Sequence, residues 1–403
     1  MTDGPPLAAL GATPRFSAPV PVGQLYWPAW SRYERAVRDI FARRFYTSQR
    51  FAGPLVVEFQ RRLQAFLGVR HAVAVRNVAG GLMIAARALG LRGTVIVPAW
   101  APIGTLRSLE WAQCRPMFCD IDPQTQHLSC ASVRRLLEKG GIEGVLGAHL
   151  WGNVAPVGEL EALAREFGVA LYYDAAHAFG CRVNDESVGS FGRAEVFSFQ
   201  AANVLSTAEG ACIVTNDDAL AETFRAMRGD EASRGGVAAA SATARMSEMQ
   251  AAIGLMMLDD FEAHRRNNRA QHERYRERLR SIPGIRLLAP AAGAVSNLQC
   301  LVGVVDESAY GLSRDELILV LRAENVAAER QFRPVNHQVR PYSEMSCDDG
   351  PLDNTDAAAR TTFQLPLGAP VTVRDVERIC EVLHAAHVHA ESIKAAPAPL
   401  SAT

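Results

Sequence analysis

Residues 71–122 read HAVAVRNVAGGLMIAARALGLRGTVIVPAWAPIGTLRSLEWAQCRPMFCDID. Three short apolar runs, HAVAV, TVIVP and PMFCDID, alternate with two segments of helical spacing, GGLMIAARALGL and PIGTLRSLEWAQ. Runs this short and this apolar are strands buried on both faces, and helices between them make the crossovers of a parallel sheet. Downstream the rhythm continues through ASVRRLLEKG, GVLGAHL, VGELEALAREFG and VALYYD, and AEVFSF and ACIVTN add two further strands. The stretch therefore specifies an α/β domain with a mostly parallel sheet covered by helices.

Working outward, WSRYERAVRDIFARRF and PLVVEFQRRLQAFLG have helical spacing on the N-terminal side. On the C-terminal side a long helical pattern runs up to Pro283, and beyond it the pattern changes to α+β. Ser313-x-x-Glu316 and Thr372-x-x-Asp375 read as capping boxes opening two late helices, and Asn216 reads as an N-cap before DDALAETFRAMR. A chain of 403 residues exceeds one core. The expected organisation is a flexible arm over 1–25, a large α/β domain over 26–245, a linking helix over 246–283, a small α+β domain over 284–390 and a disordered tail over 391–403.

The 42 basic and 43 acidic side chains nearly cancel, which argues against a nucleic-acid or membrane-surface partner. No signal peptide or spanning helix opens the chain. The eight cysteines are scattered without a CxxC pair, the pattern of free thiols in a reducing, cytoplasmic setting, and no metal site is expected. Of the 42 basic residues only Lys139 and Lys394 are lysines.

Several segments in order, among them FAGPLVVEFQRRLQAFLGVRHAVAVRN, VIVPAW, CDIDPQTQHLS, YYDAAHAFG, FSFQAANVLSTAEGACIVTNDDALAE, RMSEMQAAIGL and RQFRPVNHQVRPYSE, resemble the DegT/StrS sugar aminotransferases. These are fold-type I enzymes dependent on pyridoxal phosphate (PLP). The resemblance implies a large aminotransferase-like domain with a small α+β C-terminal domain, and an active site at a dimer interface. It assigns Asp174 to the carboxylate that pairs with the pyridine nitrogen, His177 to a residue near the ring and Ser198 to a phosphate contact. It places Gln200, Arg245, Arg330 and His337 on the substrate side.

The same resemblance exposes departures. Asn203 stands where the family has its Schiff-base lysine, and an amide can neither form an imine nor shuttle a proton near neutral pH. The family phosphate loop Asn-Gly-Thr-Ala-Ala-Leu reads Asn77-Val78-Ala79-Gly80-Gly81-Leu82 here. The ring-stacking aromatic is replaced by Pro102, with Trp100 two positions earlier, and the asparagine donated across the dimer is Thr243. Four cofactor contacts change together. The resulting expectation is a DegT/StrS-like protein of sugar or antibiotic-type specialised biosynthesis that is not a normal transaminase. It would be a homodimer that reuses the old cleft, without covalent PLP, for a small polar or sugar-like substrate, with His177 as the acid–base group beside Asp174. Two alternatives stay open: a non-catalytic subunit paired with an active paralogue, and an enzyme that holds PLP or its amine form, PMP, non-covalently.

Overall fold

Strand-forming runs and close helix packing build the large domain first. In this computed structural model, which describes residues 6–47, 52–230, 244–332, 334–344 and 350–396, helices α1 (Trp30–Arg43) and α2 (Pro54–Leu67) precede the alternating core. The alternation then unfolds as β1 (His71–Val75), α3 (Val78–Ala88), β2 (Thr94–Pro98), α4 (Ile103–Trp111), β3 (Arg115–Cys119), α5 (Cys130–Glu138), β4 (Ile142–Ala148), α6 (Val157–Phe167) and β5 (Ala170–Asp174). The short strands β6 (Arg182–Val183) and β7 (Glu186–Ser187) follow, then β8 (Glu195–Ser198), β9 (Ala211–Thr215) and α7 (Asp218–Arg228). One seven-stranded sheet results, in the order β1-β9-β8-β5-β4-β2-β3, with β9 alone reversed. Every residue of β2 and β9 is buried, as expected for strands covered on both faces.

Gly81 sets how closely α3 lies on this sheet. A Cβ there would come within 2.8 Å of Val196 Cγ1 and 3.3 Å of Val75 Cγ2, so only glycine allows the approach. The N-terminus of α3 is thereby held at the C-terminal edge of the strands.

The linking helix α8 spans Glu248–Leu279 and starts with a capping box of Ser247 and Gln250. Beyond it come β10 (Ile285–Leu287), β11 (Ala294–Val295), β12 (Leu301–Val305), α9 (Glu307–Tyr310), α10 (Arg314–Ala323), β13 (Glu329–Arg330), α11 (Asp353–Thr361), β14 (Thr362–Leu365), α12 (Val373–Val388) and α13 (Ala390–Ala395). The small domain's sheet is antiparallel, β10-β12-β14-β13, while β11 joins β6 and β7. Both expected late capping boxes are present. The helix α7 is capped by Asp217, one residue after the expected Asn216, whose side chain instead accepts from the Arg70 amide.

Two expectations about the termini need correction. Residues 6–25 are not a loose arm: Leu7, Phe16 and Val20 are buried in the small domain's core, and Val20 bridges to Val326. At the other end α13 continues to Ala395, with Ile393 packed on that core, and only 397–403 of the expected tail lie outside the described residues.

Candidate functional site

Three strand ends and the start of α3 meet at one edge of the large sheet. Asp174 is the last residue of β5 and is 4% exposed. Its Oδ2 accepts a hydrogen bond of 2.5 Å from the Thr105 hydroxyl on α4, and its Oδ1 accepts from the Ala176 amide at 3.0 Å. Burial raises the carboxyl above its ordinary value, while the Thr105 and Ala176 bonds pull it back.

His177, three residues after Asp174, is oriented by Trp151. Its Nδ1 accepts from the Trp151 backbone amide at 3.3 Å, and its ring stacks on the Trp151 indole at 5.8 Å between centroids. Burial lowers the imidazole to about 4, so it is neutral near pH 7. With Nδ1 accepting, the ring proton sits on Nε2.

Asn203 is 5% exposed and engaged at both ends of its amide. Nδ2 donates to the Ser198 carbonyl at 2.9 Å, and Oδ1 accepts from Gln299 Nε2 at 3.0 Å. The Ser198 hydroxyl is buried without a hydrogen-bond partner among the described residues. Trp100 is fully buried in the layer between the domains. Its Nε1 and that of Trp151 both donate to Gln126 Oε1, at 3.2 and 3.1 Å, and Phe332 meets its ring edge-on.

Beside this buried layer lies a cavity of about 740 Å³ whose lining includes Arg76, Val78, Ala79, Gln200, Glu209 and Arg245. Asn77 caps α3 by accepting from the Gly80 amide at 2.9 Å. The helix start and the two guanidinium groups make this wall positive. Opposite charge comes from Glu209, whose carboxylate accepts from Gln200 Nε2 at 3.2 Å. Arg245 is braced by the Gly229 carbonyl at 2.6 Å.

The structure thus brings Val78, Ala79, Gln200 and Arg245 to one cavity, with Asp174, His177, Ser198 and Asn203 outside its lining. Arg330 and His337 are elsewhere: Arg330 faces Asp315 at 3.8 Å, and His337 Nε2 meets Asp356 at 3.2 Å. Thr243 lies outside the described residues, and Pro102 is the N-cap residue of α4. Lys139, after α5, and Lys394, on α13, are exposed, and neither lines the cavity. Thr105, Gln299, Arg76 and Glu209 were not singled out from sequence. Arg76 had a local signal, being next to the N-cap of α3, whereas Thr105 and Gln299 are brought in by the fold. Among the described residues no group of His, Cys, Asp or Glu is arranged to hold a metal ion, and no helix is long and apolar enough to cross a membrane.

A helix-covered parallel sheet with polar residues at its strand ends, followed by a small antiparallel domain, is the architecture of fold-type I aminotransferases. The model of the DegT/DnrJ/EryC1/StrS aminotransferase family matches residues 34–384, and the chain belongs to that family. It is 29% identical over 337 residues to the dTDP-4-amino-4,6-dideoxy-D-glucose transaminase of Shigella dysenteriae, covering 82% of this chain and 90% of that relative. GDP-perosamine synthase of Caulobacter vibrioides is also 29% identical, over 338 residues, with the same shares covered. The solved structure of DesI in the presence of its TDP-sugar product matches with a TM-score of 0.91 at 35% identity, over 96% of this chain and 98% of DesI.

Proposed function

We propose that this family member serves sugar or antibiotic-type specialised biosynthesis without acting as a lysine-based transaminase. In this reading it is an enzyme that takes a small polar or sugar-like substrate in the cavity beside α3. The observation that carries the reading is Asn203: at the position assigned to the lysine, an amide is buried and tied at both ends. The chain's other candidates, Lys139 and Lys394, are exposed and away from the cavity lining. These residues do not fit a covalently anchored PLP. The orphaned Ser198 hydroxyl and the Asp174 carboxyl are the features a non-covalent cofactor would use.

His177 fits a narrower role than general acid–base catalysis. Protonating Nδ1 would set its N–H against the Trp151 N–H, so the neutral ring is held with Nε2 as donor. Lying outside the cavity lining, such a ring serves to hold the Trp151 backbone rather than to meet a substrate there.

A second reading, a non-catalytic subunit paired with an active paralogue, draws support from Asp174. Both of its oxygens accept hydrogen bonds from within the chain, so neither needs a ligand to satisfy it. In the enzyme reading the protein is a cytoplasmic homodimer; in the second it is half of a heterodimer. Absorption spectra and intact mass, recorded after soaking with PLP and then with PMP, test the proposal. No aldimine band should form, and borohydride reduction should leave no phosphopyridoxyl-lysine on mapped peptides. A saturable adduct on Lys139 or Lys394 would overturn it. Turnover of a nucleotide-sugar intermediate by the isolated homodimer separates the enzyme from the partner subunit.

A further inference from the structure

The loop over 199–210 begins and ends at the cavity, with Gln200 and Glu209 in its lining. Its base is closed by the Phe199 amide on the Gly210 carbonyl and the Thr207 amide on the Phe199 carbonyl. Its crown is gripped from outside the large domain. Gln299, just before β12, is 4% exposed and uses its whole amide on this loop. Nε2 donates to the Ala202 carbonyl and to Asn203 Oδ1, each at 3.0 Å, and Oε1 accepts from the Val204 amide at 2.9 Å. Gln24, from the N-terminal segment, holds Gln299 in turn, donating to its carbonyl at 2.6 Å.

We propose that Gln299 is a positioning residue for the cavity: with Asn203 it forms a buried tie that fixes the loop carrying Gln200 and Glu209. The side chain at position 203 is then a structural acceptor and donor. The donor–acceptor pattern makes this tie incompatible with lysine. Gln299 Nε2 needs an acceptor opposite it, and an ammonium group offers only donors. Asparagine supplies the acceptor to Gln299 and still donates to the Ser198 carbonyl. Aspartate would keep the first bond and lose the second. Removing Gln299 strands the Val204 amide and Asn203 Oδ1 in a buried layer, where an unmade bond is costly.

Hydrogen–deuterium exchange on the full chain tests the tie. Gln299→Ala and Asn203→Lys should each speed exchange at 199–210 about tenfold or more, the cost of roughly one buried hydrogen bond, while peptides of β1 and β9 keep their protection. The Asn203→Ala, Gln299→Ala pair should be clearly less than additive, because the two substitutions share the bond between Gln299 Nε2 and Asn203 Oδ1. Combining Asn203→Lys with Gln299→Glu restores a donor–acceptor match and should recover most of the protection. Unchanged exchange in Gln299→Ala, additive effects in the alanine pair, or no recovery in the matched pair would each overturn the proposal. Should Asn203→Lys fail to fold, Asn203→Asp decides: protection at Val204 retained supports the tie, and protection lost overturns it.

Discussion

Asp174 and Asn203 carry the site's chemistry in opposite ways. Asp174 was legible because a carboxylate closing a buried strand faces the end of the sheet where α/β ligands bind. Its partner Thr105 was not, since a threonine within the first turn of α4 has no local signature and meets Asp174 only through the crossover after β2. Asn203 was legible as a departure from the family pattern, but its role as a tie needed Gln299, almost a hundred residues downstream. The raised carboxyl of Asp174 has a testable consequence. A group that binds its proton more tightly when folded favours the folded state fully below the unfolded pKa. That contribution is lost as pH rises through the folded pKa. At neutral pH the wild-type chain therefore bears the cost of a buried charge. Asp174→Asn removes that charge, still accepts from the Ala176 amide, and can donate to the Thr105 hydroxyl. Its melting temperature should equal or exceed wild type at about pH 7–8, with the difference shrinking or reversing towards about pH 3. A clear loss of stability at neutral pH would mean that the carboxylate is better compensated than Thr105 and Ala176 account for.

Secondary structure was legible wherever its signal is local. The late capping boxes lie within four consecutive residues, and the buried strands announce themselves by composition. The Asn216–Asp217 ambiguity arises because both types cap helices, and only the fold assigns Asn216 to the Arg70 amide. Helix α2 shows what local reading cannot reach. Its N-cap residue, Gly53, has no side chain to offer, and the cap comes from Glu248 at the start of α8. The Glu248 carboxylate is buried and accepts from the Leu55 and Val56 amides at 3.1 and 3.0 Å. Gly53 leaves room for it, since a Cβ there would fall 2.3 Å from Glu248 Oε1. Glu248→Ala should therefore cost about 1–3 kcal/mol through two stranded amides at a helix N-terminus. Gly53→Ala should destabilise through the same contact by displacing the carboxylate, and the two changes should be less than additive in chemical denaturation. Full additivity would show that Gly53 and Glu248 act independently.

Across the whole molecule, the change of rhythm after Pro283 was visible, and the antiparallel sheet β10-β12-β14-β13 lies beyond it, but the ownership of the N-terminal segment was not visible. Its Pro, Ala and Gly content reads as loose chain, and its apolar anchors, Leu7, Phe16 and Val20, are too few and too far apart to build a periodic pattern. Tertiary packing alone fixes it. Glu324, fully buried after α10, accepts from the Ala8 and Arg15 amides, each at 2.7 Å. Arg15 also pairs with Glu381 on α12 at 2.8 Å, and the Arg378 guanidinium lies 4.1 Å from the Phe16 ring centroid. The segment is thus a detached piece of the small domain, and it also carries Gln24 to the loop above the cavity. Deleting residues 1–19 should expose apolar surface worth roughly 2 kcal/mol for each large buried side chain lost. It should also leave the Glu324 carboxylate short of its amide donors. In the full chain Glu324→Ala should destabilise, because those two amides lose a charged acceptor. In the truncated chain the donors are already gone, so the same substitution should be close to neutral or stabilising. Thermal unfolding of the four proteins measures this coupling directly. A truncated chain with the wild-type melting temperature, or a Glu324→Ala penalty that survives truncation undiminished, would return the segment to the status of a loose arm.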